Sequence, residues 1–81
     1  MEKRIGTITI LIEDRRQSVS VNQIISEYSD IILCRQGLPF HDREVAVISL
    51  IVEGLMNRIN ALTGKLGRLE GLTCKAVVTG K

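Results

Sequence analysis

Residues 44–53 read EVAVISLIVE and contain the longest apolar run of the chain. In a strand this run is apolar on both faces, because Ala46, Ile48, Leu50 and Val52 alternate with Val45, Val47 and Ile51. A strand that is apolar front and back is covered on both sides in a folded protein. The stretch therefore predicts a central strand whose second face needs its own cover.

The chain around this strand repeats one order of elements. Residues 4–38 read as strand, helix and strand, and residues 44–79 repeat that order. A duplicated βαβ unit of this size is typical of the ferredoxin-like fold. We therefore predict an α+β sandwich of order βαββαβ, with a four-stranded antiparallel sheet and two helices on one face.

Hydrophobic periodicity and turn-forming residues predict the bounds of the individual elements. The predicted elements are strands at 4–13, 30–36, 44–53 and 72–79, a first helix from Ser18–Ser20, and a second from Gly54 or Leu55. Ser20 followed by Gln23 predicts a capping box for the first helix. Gly37 and Pro39 predict the end of the second strand and the start of a turn-rich connection.

A chain of 81 residues predicts one domain, residues 1–81. Such a small domain buries only roughly 60–65% of its unfolded surface, and small domains often gain stability by oligomerising. Two helices can cover only one face of a four-stranded sheet. We therefore predict a homo-oligomer, a dimer or a tetramer, in which a partner chain covers the open face or extends the sheet edge to edge.

Composition argues against several classes of partner. The formal net charge is +2, from 11 basic and 9 acidic residues, so direct nucleic-acid binding is not expected. Tyr28 and Phe40 are the only aromatic residues, which leaves no stacking platform for single strands. The apolar run at 45–52 is far shorter than the roughly 20 residues of a membrane helix. With no signal-peptide pattern, we expect a cytoplasmic protein.

Two cysteines, Cys34 and Cys74, fall on the predicted second and fourth strands. In the usual ferredoxin-like strand order, 4-1-3-2, these strands are opposite edges about 14 Å apart. A disulfide needs Cα atoms within roughly 7 Å, so both thiols are predicted to be free. The sequence leaves open whether Cys34 is redox-active.

The chain shows no constellation typical of catalysis. The single histidine, His41, lies in the connection between the second and third strands, where an exposed loop histidine is expected. There is no C-x-x-C or H-x-H spacing, so neither a metal site nor a cofactor is predicted. We expect no catalytic residues and no enzyme activity.

A polar loop, Glu13-Asp14-Arg15-Arg16-Gln17, follows the first strand. Backbone N–H groups at the start of the next helix favour an anion or an amino acid there. The residues predicted to contact such a small-molecule effector are Asp14, Arg16, Gln17 and Ser18, with Arg35 contributed by a neighbouring chain. The alternative is a solvated cluster of salt bridges.

Several segments along nearly the whole chain resemble the ACT-like family and follow that family's order. They are TITILIED (7–14), RRQSV (15–19), NQIISEYSDII (22–32) and LGRLEGLTCKAVVTGK (66–81). More narrowly, ILCRQGLPFHDREVAVISLIVEG (32–54) and LTGKLGRLEGLTCKAVV (62–78) resemble small stand-alone regulators of the iron-only hydrogenase system. The resemblance implies a non-enzymatic regulator with a ferredoxin-like fold.

Two features depart from related patterns. ACT domains that bind amino acids commonly have a glycine in the turn after the first strand, whereas residues 14–17 contain none. The nickel-responsive repressor's C-terminal domain, similar in fold, uses several histidines, and this chain has one. The missing glycine argues against classical amino-acid binding, and the single histidine argues against nickel sensing. The alternative functions are a purely structural oligomerisation module or a metal-sensing domain related to that repressor.

Overall fold

The computed structural model describes residues 2–40 and 42–80. Its elements are β1 (Arg4–Ile12), α1 (Ser18–Glu27), β2 (Ile32–Phe40), β3 (Val45–Gly54), α2 (Met56–Gly67) and β4 (Leu72–Val78). The strands form one antiparallel sheet in the order β2-β3-β1-β4. The predicted ferredoxin-like α+β plan and strand order 4-1-3-2 are confirmed.

The core lies between the two helices and one face of this sheet. Every second residue of β1 is buried from Gly6 onward, which leaves Ile8 and Ile10 with no exposed surface. The helices contribute the apolar stripe that the sequence predicts. The fully buried side chains of the core are Ile8, Ile10, Ile12, Val21, Leu50, Val52, Ile59, Leu62 and Leu66. Removing this apolar surface from water is the main stabilising term of the fold.

The C-terminal end of α1 is fastened to α2 around Tyr28. The buried ring lies 4.6 Å from the Arg58 guanidinium and 5.4 Å from the Lys65 ammonium, both on α2. Arg58 also pairs with Asp30 at 2.6 Å, and Lys65 pairs with Glu27 at 3.3 Å. These cation–π and ionic contacts hold the two helices together across their outer surface.

The predicted end of β2 at Gly37 and Pro39 is wrong. β2 begins at Ile32, after a short 3₁₀ turn at Ser29–Ile31, and continues to Phe40. Pro39 lies opposite Ala46 of β3. Since β2 is an edge strand, Pro39 removes no hydrogen bond from a ladder on a second side.

The predicted capping box at Ser20 is also wrong. A 3₁₀ turn at Arg15–Gln17 precedes α1, which begins at Ser18. The cap of that turn is Asp14, whose carboxylate accepts the backbone N–H of Arg16 at 3.0 Å. Ser20 therefore lies inside the first turn of α1.

The sheet face opposite the helices, here called the outer face, has no cover within the described chain. Paired residues share a face, so Leu11, opposite Val47, and Thr9, opposite Ser49, both point to it. Eight large apolar side chains are exposed in residues 2–40 and 42–80, and six of them lie on this face. They are Ile5, Leu11, Leu38, Phe40, Ile51 and Val77.

Candidate functional site

The loop between β1 and α1 is organised by one carboxylate. Asp14 accepts the Arg16 side chain at both oxygens, with Nε–Oδ1 at 3.0 Å and Nη2–Oδ2 at 2.8 Å. The backbone N–H of Gln17 donates to the Asp14 carbonyl at 3.0 Å. Paired contacts of this kind fix the guanidinium plane against the carboxylate. The loop thus presents a preformed Asp14–Arg16 pair beside the start of α1.

This pair changes the titration of both partners. The hydrogen bond from the Arg16 side chain, with a second from its backbone N–H, lowers the pKa of Asp14 below its ordinary value. The Asp14 carboxylate in turn raises the pKa of Arg16. Both groups are therefore charged at neutral pH, and each neutralises the other.

The loop is anchored to the turn between α2 and β4. The Gly71 carbonyl accepts the backbone N–H groups of Glu13 at 2.8 Å and of Asp14 at 2.9 Å. The Thr73 hydroxyl donates to the Glu13 carboxylate at 2.9 Å. Gly71 has φ +69, and a Cβ there would lie 2.5 Å from the Cβ of Asp14. The glycine that permits close approach is thus on the facing turn and not in the loop.

Glu44 lies at the tip of the β2–β3 hairpin, next to the loop between β1 and α1. Glu13, Asp14, Arg15, Arg16 and Glu44 line one shallow, open cavity. Glu44 has φ 54, the left-handed region that a residue with a Cβ occupies only at a cost. Sequence reasoning missed both Glu44 and Gly71. The Glu70-Gly71 turn could have signalled Gly71, but no local signal marks Glu44.

The structure brings four of the predicted effector contacts together in the loop and places the fifth, Arg35, on β2. Asp14, Arg16 and Gln17 are joined by the hydrogen bonds above, and Ser18 opens α1 directly after them. Arg35 is on β2, where its side chain donates to Asn22 of α1 in the same chain. Asn22 also donates to the Ser18 carbonyl at 2.9 Å. Arg35 thus reaches the start of α1 through Asn22.

Comparison with known proteins identifies the family. A family model described as "TM1266-like: Iron-only hydrogenase system regulator, putative" matches residues 4–76. The chain belongs to this family. A solved structure, the uncharacterized protein TM1266 from Thermotoga maritima, is 37% identical, with a TM-score of 0.89 over 95% of this chain and 98% of that one. No curated protein matches the chain.

More distant structures share the fold. The ACT domain from the GTP pyrophosphokinase of Chlorobium tepidum is 16% identical, with a TM-score of 0.64 over 100% of this chain and 91% of that one. A formyltetrahydrofolate deformylase from Pseudomonas putida KT2440 is 8% identical, with a TM-score of 0.68 over 95% of this chain but 30% of the enzyme. At such identities the likeness shows an ACT-like fold alone.

The described part of this TM1266-like chain offers few residues that could bind a metal ion. Across residues 2–40 and 42–80, no group of three or more His, Cys, Asp or Glu side chains could hold a metal ion. Cys34 and Cys74 are free and lie on the opposite edge strands, and partial burial raises the pKa of Cys74. His41 lies outside the described residues. Within those residues, no helix is long and apolar enough to cross a membrane.

Proposed function

We propose that this TM1266-like chain is a non-enzymatic regulatory module of an iron-only hydrogenase system that acts through self-association. The observation that carries the proposal is the outer face, which holds six of the eight large apolar side chains that are exposed among the described residues. Exposed apolar side chains gathered on one face are typical of an interaction site in a folded protein. A second copy is the partner that the chain always has available.

Association through the face is better supported than association through the sheet edges. β2 has a bulge between Ile32 and Cys34 and a proline at position 39. β4 is only seven residues long and carries the exposed Lys75 at its centre. Bulges, prolines, short edge strands and lysines are the devices that block pairing with another strand. A bulge, a proline or a short edge strand does not block a contact through the outer face, and Lys75 lies only at its β4 edge.

The β1–α1 loop is the proposed place for a small-molecule effector. Asp14, Arg16, Gln17 and Ser18 would contact the ligand, and Arg35 of a neighbouring chain would add a cation. The start of α1 supports this proposal, because it lies directly after the loop, Gln17 makes no side-chain cap bond there, and the start of a helix favours an anion. An effector with a carboxylate or phosphate would pair with Arg16 only by competing with Asp14.

That competition favours a second candidate, a regulator that assembles without a ligand. Asp14 and Arg16 already satisfy each other with three side-chain hydrogen bonds and one from the backbone. In that case the loop is a structural element, and all specificity resides in the outer face.

Two measurements test these proposals. Sedimentation equilibrium over a wide concentration range should show self-association, and a monomer throughout would contradict the main proposal. A thermal-shift screen with amino acids, nucleotides and metal ions separates the two candidates. A ligand at 100 times its Kd should raise the Tm by roughly 10–20 °C for a domain of this size. An Arg16→Gln variant should lose that rise, whereas no rise with any compound favours assembly without a ligand.

A further inference from the structure

One end of the outer face is more apolar than the rest. Leu11, Leu38, Phe40, Val45 and Val47 lie together where β1 ends and the β2–β3 hairpin turns, and we call them the hairpin cluster. The next row across the sheet is polar and consists of Gln36, Ser49, Thr9 and Lys75. The hairpin cluster is therefore the part of the face with the strongest need for cover.

The cluster has both a projection and a hollow. Leu38 is 57% exposed and projects from the edge strand. Beside it lies a shallow hollow lined by Gln36, Gly37, Leu38, Val47 and Ser49. In a two-fold symmetric contact both copies use the same surface.

Charges of both signs lie at the rim of this cluster. Arg15 follows β1 and Glu44 precedes β3, and both line the cavity of the loop. Unlike Arg16, which is paired with Asp14, neither Arg15 nor Glu44 makes an ion pair within the described residues. An apolar centre with a polar rim is the usual anatomy of a protein interface.

We infer that a second copy of the chain packs on the outer face about a two-fold axis that runs parallel to the strands, between β1 and β3. This inference rests on the proposed self-association. Such an axis places β1 of one copy over β3 of the other, since these strands are neighbours at the middle of the sheet. Leu11, which lies opposite Val47 within one chain, then faces Val47 across the interface.

The same axis brings the rim charges together. Arg15 lies three residues after the end of β1 and Glu44 directly precedes β3, so at this end of the sheet Arg15 of each copy meets Glu44 of the other. The contact occurs twice and carries no net charge. This pairing would also account for the strained backbone of Glu44. Such strain tends to persist where a residue has a function.

The area of the face is just above the lower limit for a biological interface. With four strands about 4.8 Å apart and seven to ten residues long at about 3.3 Å each, its plane measures roughly 550 Å² per copy. Two copies therefore bury roughly 1,100 Å², which exceeds the approximately 1,000 Å² expected of a biological interface. Packing over the hairpin cluster alone would fall short, so the whole face takes part.

A pair of matched lysine substitutions tests the surface. Val47→Lys puts a charge into the hairpin cluster, and Val19→Lys makes the same change at an exposed position of α1, on the other side of the molecule. By sedimentation equilibrium, Val47→Lys should weaken dimerisation at least 100-fold, and Val19→Lys should leave it within threefold. Circular dichroism checks that both variants fold. A folded Val47→Lys variant with undiminished association overturns this inference and leaves self-association standing.

A charge swap tests the axis. Arg15→Glu and Glu44→Arg should each weaken dimerisation about tenfold, because each places like charges across the interface twice. An equimolar mixture should recover the wild-type affinity, since both contacts are then between opposite charges. No recovery on mixing overturns the pairing across the axis, and a wild-type chain that stays monomeric overturns both this inference and the proposed self-association.

Discussion

The two faces of the sheet have similar apolar side chains in very different surroundings. On β3, Leu50 and Val52 of the inner face are fully buried under the helices, whereas Ile51 between them is 40% exposed on the outer face. All three are aliphatic side chains on one strand, so the main difference between them is the cover. The comparison teaches that an apolar pattern states the need for a cover but does not identify what supplies it.

The largest expected effect separates the two faces directly. Leu50→Ala removes a fully buried side chain and should lower the free energy of unfolding by about 2–5 kcal/mol. Val47→Ala, on the outer face, should cost less than about 1 kcal/mol at concentrations where the chain is monomeric. Urea unfolding of both variants at low concentration measures the difference. Equal losses would mean that the outer face is already covered within one chain.

A second experiment concerns the rim of the outer face, where Gly71 holds the loop. Gly71→Ala should cost about 1–3 kcal/mol, because alanine disfavours φ +69 and its Cβ would clash with Asp14. Gly64→Ala is the matched control, since a Cβ there meets nothing within 4 Å. In the helix interior it should stabilise by up to about 1 kcal/mol. If both changes had the same sign, the close approach at Gly71 would not matter to stability.

A substitution at Glu44 should change the free energy of unfolding by less, and in the stabilising direction. Glu44→Gly relieves the left-handed backbone and should stabilise the monomer by about 0.5–1 kcal/mol, after the entropy cost of glycine is subtracted. The same change should weaken dimerisation, since it removes a rim charge. Urea unfolding and sedimentation equilibrium report the two effects separately. A variant less stable as a monomer would show that the Glu44 side chain acts within its own chain.

The smallest expected effect is the pH dependence of the Asp14–Arg16 pair. Because Arg16 lowers the pKa of Asp14, the pair stabilises the fold above the ordinary pKa of aspartate, about 3.9, and this contribution is lost as the pH falls through the lowered pKa. Asp14→Asn should therefore be less stable than wild type at pH 6, and the gap should close toward pH 2. A gap of constant size would show that the carboxylate's charge is irrelevant. Arg16→Gln should reduce the same pH dependence.

Much of the fold could be predicted because its signals are local. Period-2 alternation along β1 and i, i+3, i+4 spacing along α1 each need only a few neighbouring residues to be read. The wrong predictions also involve local signals, at Ser20 and at Pro39. Pro39 ends a strand only if both edges are paired, and Ser20 caps a helix only if no earlier group does so.

The candidate site was harder to predict from the sequence than the fold. The polar loop and its residues were visible as a break in the alternation, but its anchors are distant in sequence. Gly71 and Thr73 hold Glu13 and Asp14 from nearly 60 positions away, with Thr73 and Glu13 separated by 60. Glu44 joins the loop only because β3 pairs with β1.

The sequence by itself determined the element order, the ferredoxin-like class and the apolar character of both faces of β3, because each depends on residue type and short-range spacing. Only the tertiary structure decided which face the helices cover, that Asp14 binds Arg16, and that Gly71 and Glu44 enclose the loop. These contacts depend on which distant backbone segments approach each other, and the pairing of the strands sets that approach. The physical reason is that burial and hydrogen bonding are settled by neighbours in space, whereas a sequence states only neighbours along the chain.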